Sequence, residues 1–140
     1  MVYSNANSTN RTEPGTPMEI LSSRVLLRVA DYHASLNFYR DVLGLATARD
    51  YPGGTVFFAG QSLIEITSHG APQRCSATLW LQVRDLQAVQ DELRSRNAMI
   101  VREARREPWG LDEMHVSDPD GVTLILVEVP PDHPLRHDPR

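Results

Sequence analysis

The stretch Ser35-Leu36-Asn37-Phe38-Tyr39-Arg40-Asp41-Val42-Leu43-Gly44 decides how the rest of the chain is read. Leu36, Tyr39, Val42 and Leu43 recur at helical spacing, so one apolar stripe turns toward a core. Gly44 follows as a C-terminal stop, because glycine accepts the left-handed conformation that ends a helix. Working back, Arg24 to Val29 alternates like a strand, and Val29-Ala30-Asp31-Tyr32 leads into the helix. Working forward, three short strands are expected at 46–50, 55–59 and 62–67, with turns at Gly53-Gly54 and Gly60-Gln61.

The plan then repeats. Thr78 to Val83 alternates, and Val83-Arg84-Asp85-Leu86 echoes the earlier four residues. A second helix carries Leu86, Val89 and Leu93 and stops near Asn97. Strands follow at 99–104, 111–117 and 122–129, with Asp118-Pro119-Asp120-Gly121 as the last turn. The expected fold is α+β: two tandem βαβββ modules, 24–67 and 77–129, form a curled mixed sheet around a cavity, with the helices outside. They lie in one domain, 19–130. Residues 1–18 and 131–140 read as tails without periodicity.

Strand faces locate the site. Val25, Leu27 and Val29 form one face of the first strand, and Arg24, Leu26 and Arg28 the other. Ile64 and Ile66 oppose Leu63, Glu65 and Thr67. Leu79, Leu81 and Val83 oppose Thr78, Trp80 and Gln82. The apolar faces belong under the helices. The mixed faces line either a ligand groove or an open sheet surface. The last strand, with Thr123, Ile125 and Val127 against Leu124 and Leu126, is apolar enough to be buried on both faces.

Composition excludes several partners. Of 140 residues, 41% are hydrophobic and 23% charged, and the net charge is −4. That balance speaks against nucleic acid and against an anionic membrane surface. The apolar run Val122–Val127 is far short of a membrane span, and no apolar leader precedes the domain, so a cytoplasmic protein is expected. All 14 basic residues are arginine, so any cation near the site is a planar, permanently charged fork. The single Cys75 excludes an internal disulfide.

The residues Arg28-Val29-Ala30-Asp31, Ser35 to Gly44, Leu63-Ile64-Glu65-Ile66, Pro108-Trp109-Gly110 and Asp118-Pro119-Asp120-Gly121 together resemble the vicinal oxygen chelate superfamily. That group includes glyoxalase I, extradiol dioxygenases and bleomycin-resistance proteins. The resemblance implies a homodimer whose cavities can draw modules from two chains. It also implies that the key helix buries Leu36, Tyr39 and Leu43. In metal-using branches four inward positions hold His, Gln or Glu. They fall here on Arg24, Glu65, Thr78 and Ile125. Only Glu65 can ligate, since arginine has no acceptor and isoleucine no donor atom. The expectation is therefore no metal and no cofactor, which removes support for glyoxalase or dioxygenase chemistry using a divalent metal.

Remaining candidates are weaker. His33, His69 and His115 stand alone in sequence, and Cys75 has only Arg74 beside it. His133 and His137 are four apart around Pro134 in a loop. Trp109 either plugs the rim of the core or offers a stacking wall. Glu65 either pairs with Arg24 or contacts ligand as acid or base. The leading expectation is a metal-independent protein that binds a flat or aromatic organic molecule. Arg24, Leu26, Arg28, Glu65, Thr78, Trp80, Gln82, Trp109 and Ile125 would line its site. The alternative is a metal-free isomerase, cyclase or lyase using Glu65 or His115 as base, with Arg24 stabilising an oxyanion.

Overall fold

The computed structural model describes residues 17–72 and 76–135. Cys75, Arg74, His137 and most of the N-terminal tail lie outside them. The first module runs β1 (Arg24–Arg28), α1 (Tyr32–Leu36), a π-helical segment (Asn37–Val42), β2 (Thr47–Tyr51), β3 (Gly54–Ala59) and β4 (Ser62–Thr67). The second runs β5 (Thr78–Gln82), α2 (Leu86–Ser95), β6 (Met99–Arg106), β7 (Asp112–Ser117) and β8 (Thr123–Glu128). Each module makes a four-stranded sheet, in the orders β1-β4-β3-β2 and β5-β8-β7-β6. The first and last strands pair parallel in both, and the other pairs are antiparallel.

The local causes repeat as well. Asp31 and Asp85 are the N-caps, accepting from the amides of Ala34 and Ala88 at 3.1 and 3.0 Å. Gly44 and Asn97 follow the two helical segments at φ 76° and 58°, left-handed positions that glycine and asparagine tolerate best.

One expectation about the key helix is corrected. After a single α-helical turn the chain widens into the π-helical segment, with Leu43 N–H donating to Phe38 O across five residues. The wider turn slips the phase of the stripe. Phe38 and Tyr39, neighbours in sequence, both turn inward and are buried, whereas Leu36 and Leu43 stay half-buried.

The helix-side faces of both sheets meet in one core. Leu27, Val29, Ile64 and Ile66 of the first module share it with Leu79, Leu124 and Leu126 of the second. β8 is covered on both sides, because Val127 packs with Leu111 and Val129 in a smaller cluster on its other face.

A buried hydrogen-bond clasp joins the modules. Tyr39 is fully buried, and its hydroxyl donates to Asp118 Oδ2 at 2.8 Å. Asp118 Oδ1 accepts from the amides of Asp120 and Val122, each at 2.8 Å, which closes the β7–β8 turn. Asp120 accepts in turn from the Ala30 amide at 3.2 Å and the Ser35 hydroxyl at 3.4 Å. Removing the Tyr39 hydroxyl leaves a buried carboxylate short of a donor. Tyr39→Phe should therefore cost about 1–3 kcal/mol, read from the urea unfolding midpoint. A midpoint equal to that of the wild type would contradict the clasp.

Candidate functional site

The face of the first sheet turned away from the core carries Arg24, Leu26 and Arg28, all exposed, next to Glu65. Leu26 and Glu65 are register partners on parallel strands, so the carboxylate lies in the middle of this face. It is engaged on both oxygens. Arg24 Nη1 donates to Oε1 at 2.8 Å, and the Tyr51 hydroxyl donates to Oε2. Of the two readings of Glu65, the structure thus shows the pairing with Arg24. Tyr51 is a partner that sequence reasoning missed. It is fixed from several sides: Arg49 lies over its ring at 5.1 Å, His69 stacks beside it, and a Cβ at Gly54 would overlap it.

These contacts set the electrostatics. The hydrogen bond from Tyr51, and then the hydrogen bond and charge of Arg24, hold the Glu65 carboxyl below its ordinary value, against the opposing effect of burial. Burial, followed by the Glu65 hydrogen bond, pushes the Tyr51 hydroxyl up.

The corresponding face of the second sheet carries Thr78, Trp80, Gln82, Ile125 and His115. Trp80, Ile125 and His115 stand in one row across β5, β8 and β7. Thr78, Trp80 and Gln82 are exposed, and Ile125 and His115 are half-buried. His115 is not alone. Its ring nitrogens and the carboxylates of Glu107 and Glu113 lie within 4.8 Å of one another. Glu107, only 3% exposed at its side chain, pairs with Arg102 at 2.5 Å and Arg105 at 3.6 Å. Arg102 Nε is buried without a hydrogen-bond partner among the described residues.

Trp109 sits on the tight turn between β6 and β7, closed by Gly110 N–H to Glu107 O at 2.9 Å. Its Nε1–H donates to Glu113 Oε2 at 2.8 Å, yet the residue is 58% exposed. The polar edge of the indole is thus anchored while the ring stays open, so Trp109 is not a plug in the core. His133 places Nε2 3.1 Å from the Trp109 carbonyl oxygen, so it supports this turn. Glu113 was legible in principle, since it alternates with His115 on one strand face. Glu107 and Arg102 reach the cluster only through the bulged β6–β7 pairing.

The two mixed faces lie on separate sheets of the chain, β1-β4-β3-β2 and β5-β8-β7-β6. Among the described residues no hydrogen bond or ion pair links the Arg24–Glu65 set to the Trp80–His115 set. A cavity of about 650 Å³ does open between the modules. Of the expected site residues, only Trp80 and Gln82 line it.

The four positions implied by the family do not make up a divalent-metal site. At the four positions implied by the family, Arg24 and Ile125 offer no ligand atom and Thr78 only a hydroxyl, and the Glu65 carboxylate is already shared by an arginine and a tyrosine. In the second cluster Glu107, Glu113 and His115 bring ligand atoms within 4.8 Å of one another, with Glu107 paired to two arginines and Glu113 held by Trp109.

The Glu65 network predicts a sign. A carboxyl lowered by folding stabilises the fold above its unfolded value, near 4.5, and that stability is lost as pH falls through the lowered folded value. Tyr51→Phe removes the largest lowering contact. The Glu65 carboxyl carbon, followed by NMR, should then titrate at higher pH than in the wild type; an unmoved midpoint would contradict the network.

Comparison with known proteins agrees with this architecture. Residues 22–126 match the family model described as the Glyoxalase/Bleomycin resistance protein/Dioxygenase superfamily. A protein from Synechocystis sp. named a probable lactoylglutathione lyase is 30% identical over 119 residues, covering 74% of this chain and 91% of its own. The structure resembles a glyoxalase/bleomycin resistance protein/dioxygenase from Nocardioides, with TM-score 0.67 and 16% identity over 88% of this chain and 93% of that one. It also resembles a superfamily member from Sphaerobacter thermophilus, with TM-score 0.67 and 22% identity over 80% and 99%. No helix among the described residues is long and apolar enough to cross a membrane. The paired βαβββ modules and the match across their length place this chain in the glyoxalase/bleomycin-resistance/dioxygenase superfamily.

Proposed function

We propose that this chain binds a small organic molecule without a metal, and that the molecule is flat or aromatic and carries a carboxylate, phenolate or carbonyl. The observation that carries the reading is Glu65. The one residue at a family metal position that could serve as an anionic ligand is held on both oxygens, by Arg24 and by Tyr51. What remains on these faces is stacking surface and donors. Trp80 is 47% exposed, and Trp109 is held edge-on by Glu113. Arg28 is the exposed donor for an acceptor group on the ligand. Arg24 stays with Glu65 and shapes the floor. Leu26 and Phe58 expose apolar surface on the first sheet face, which a second copy of the chain would cover, so the binding unit is a homodimer. A protein that sequesters its ligand needs this affinity and no catalytic group.

A second reading is favoured by one observation, the carboxylates of Glu107 and Glu113 around His115. In a metal-free isomerase, cyclase or lyase of this fold, His115 would be the general base. Glu65 is the poorer candidate, since a lowered carboxyl is a weaker base. A glyoxalase reaction, suggested by the Synechocystis relative, needs a metal to polarise its substrate, and the four family positions here offer one carboxylate, Glu65.

Both tryptophans report binding. 2-Naphthoate and related aromatic carboxylates should quench the intrinsic fluorescence saturably. Trp109→Ala should weaken binding by about tenfold or more, in line with the loss of a stacking wall. His115→Gln should leave binding in place. Unchanged affinity in Trp109→Ala would overturn the site, and turnover lost only in His115→Gln would establish the enzyme instead.

A further inference from the structure

The two modules share one plan, and from the first strand into the helix each residue of the second lies 54 positions after its counterpart, as Asp85 follows Asp31. Where the modules meet, the plan is broken. On one side the β7–β8 turn, with Asp118 and Asp120, reaches α1 and is clasped by Tyr39 and Ser35. On the other side the corresponding helix residues are Leu93 and Val89, and the β3–β4 turn is only Gly60-Gln61. No acid projects from that turn, and no phenol fills the space behind it. The cavity of about 650 Å³ lies there, between the β3–β4 turn, the end of the π-helical segment, β5 and α2.

The cleft is open to solvent on one side, and its volume of about 650 Å³ falls within the range of small-molecule sites. The walls are mostly aliphatic, including Leu43, Leu45, Leu81, Val89 and Leu93. Among the lining residues there is one charge, the exposed Arg84, in a chain whose net charge is −4. The guanidinium has several donors, so it can serve an anion beside any other contact it makes.

We infer that this cleft is a second ligand site, bordering the second sheet face at Trp80 and Gln82, and that it takes an amphiphile with an apolar body and a single carboxylate head bound at Arg84. The occupant class is the medium-chain carboxylate, and the cleft shares Trp80 with the ligand reading above but neither Arg28 nor Trp109. Filling the cleft also bears on the fold, because the ligand would supply the contacts that Tyr39 and Asp118 supply on the other side.

Decanoate titrated into the ¹⁵N-labelled full chain tests it. Saturable one-to-one binding is expected, with amide shifts concentrated at Leu43, Leu45, Gly60, Leu81 and Val89. Arg84→Gln should weaken binding by about tenfold, as for a lost charge-assisted hydrogen bond. Val89→Phe, which fills the cleft from α2, should abolish it. Ala59→Phe fills it from β3 and serves if the first variant does not fold. Trp109→Ala should leave decanoate binding unchanged, which separates this site from the one proposed above. Absence of saturable shifts, shifts centred on Trp109 and His115, or equal affinity in Arg84→Gln would each overturn the inference.

Discussion

The structure depends on one buried carboxylate. Asp118 takes two backbone amides of its own turn and the Tyr39 hydroxyl of the other module. A charge so buried is tolerated only when its acceptors are filled, and here three donors fill them. The consequence is geometric. Because the second module's turn is tied to the first module's helix, the modules meet through their helix-side faces, and one core forms between them. The other faces of both sheets are left outward, carrying Arg28, Trp80 and the open ring of Trp109. The clasp thus exposes the surfaces on which binding is proposed. The π-helical widening belongs to the same device, since it turns Tyr39 inward beside Phe38.

Much of this was legible in the chain. Alternation and the glycine turns placed all eight strands within one or two residues, most firmly where one face is buried and a register slip would expose it, as in β4. The Gly44 and Asn97 stops bounded the helical segments for reasons local to those residues. The widening at Asn37–Val42 was not legible. Leu36, Tyr39 and Leu43 fit an α-helical stripe equally well, and packing against the other module decides between them. The site was read unevenly for a similar reason. Glu65 and Arg24 were found because strand periodicity places them on one face. Tyr51 lies two strands away on β2, beyond β3, and its bond to Glu65 depends on a side chain crossing the glycine at position 54. The cavity could not be located from periodicity, since it comes from a turn length and two helix residues that differ between otherwise parallel modules.

The chemistry of the faces follows from the cation supply. Every basic residue is an arginine, and arginines consume the carboxylates: Glu65 is paired with Arg24, Glu107 with Arg102 and Arg105. A carboxylate held this way is a structural anion and a poor metal ligand. What is left to meet a ligand is guanidinium, indole and aliphatic surface, a set suited to an apolar molecule with a negative or polar end.

The most direct test of this account is the metal content of the purified, untagged protein, measured by elemental analysis after separate dialysis against nickel, zinc, manganese and iron(II), each followed by metal-free buffer. The account predicts far less than one metal per chain in every case. A stoichiometric metal that survives dialysis would show that Glu65, or the cluster of Glu107, Glu113 and His115, gives up its arginine and aromatic partners to a cation, and would contradict it.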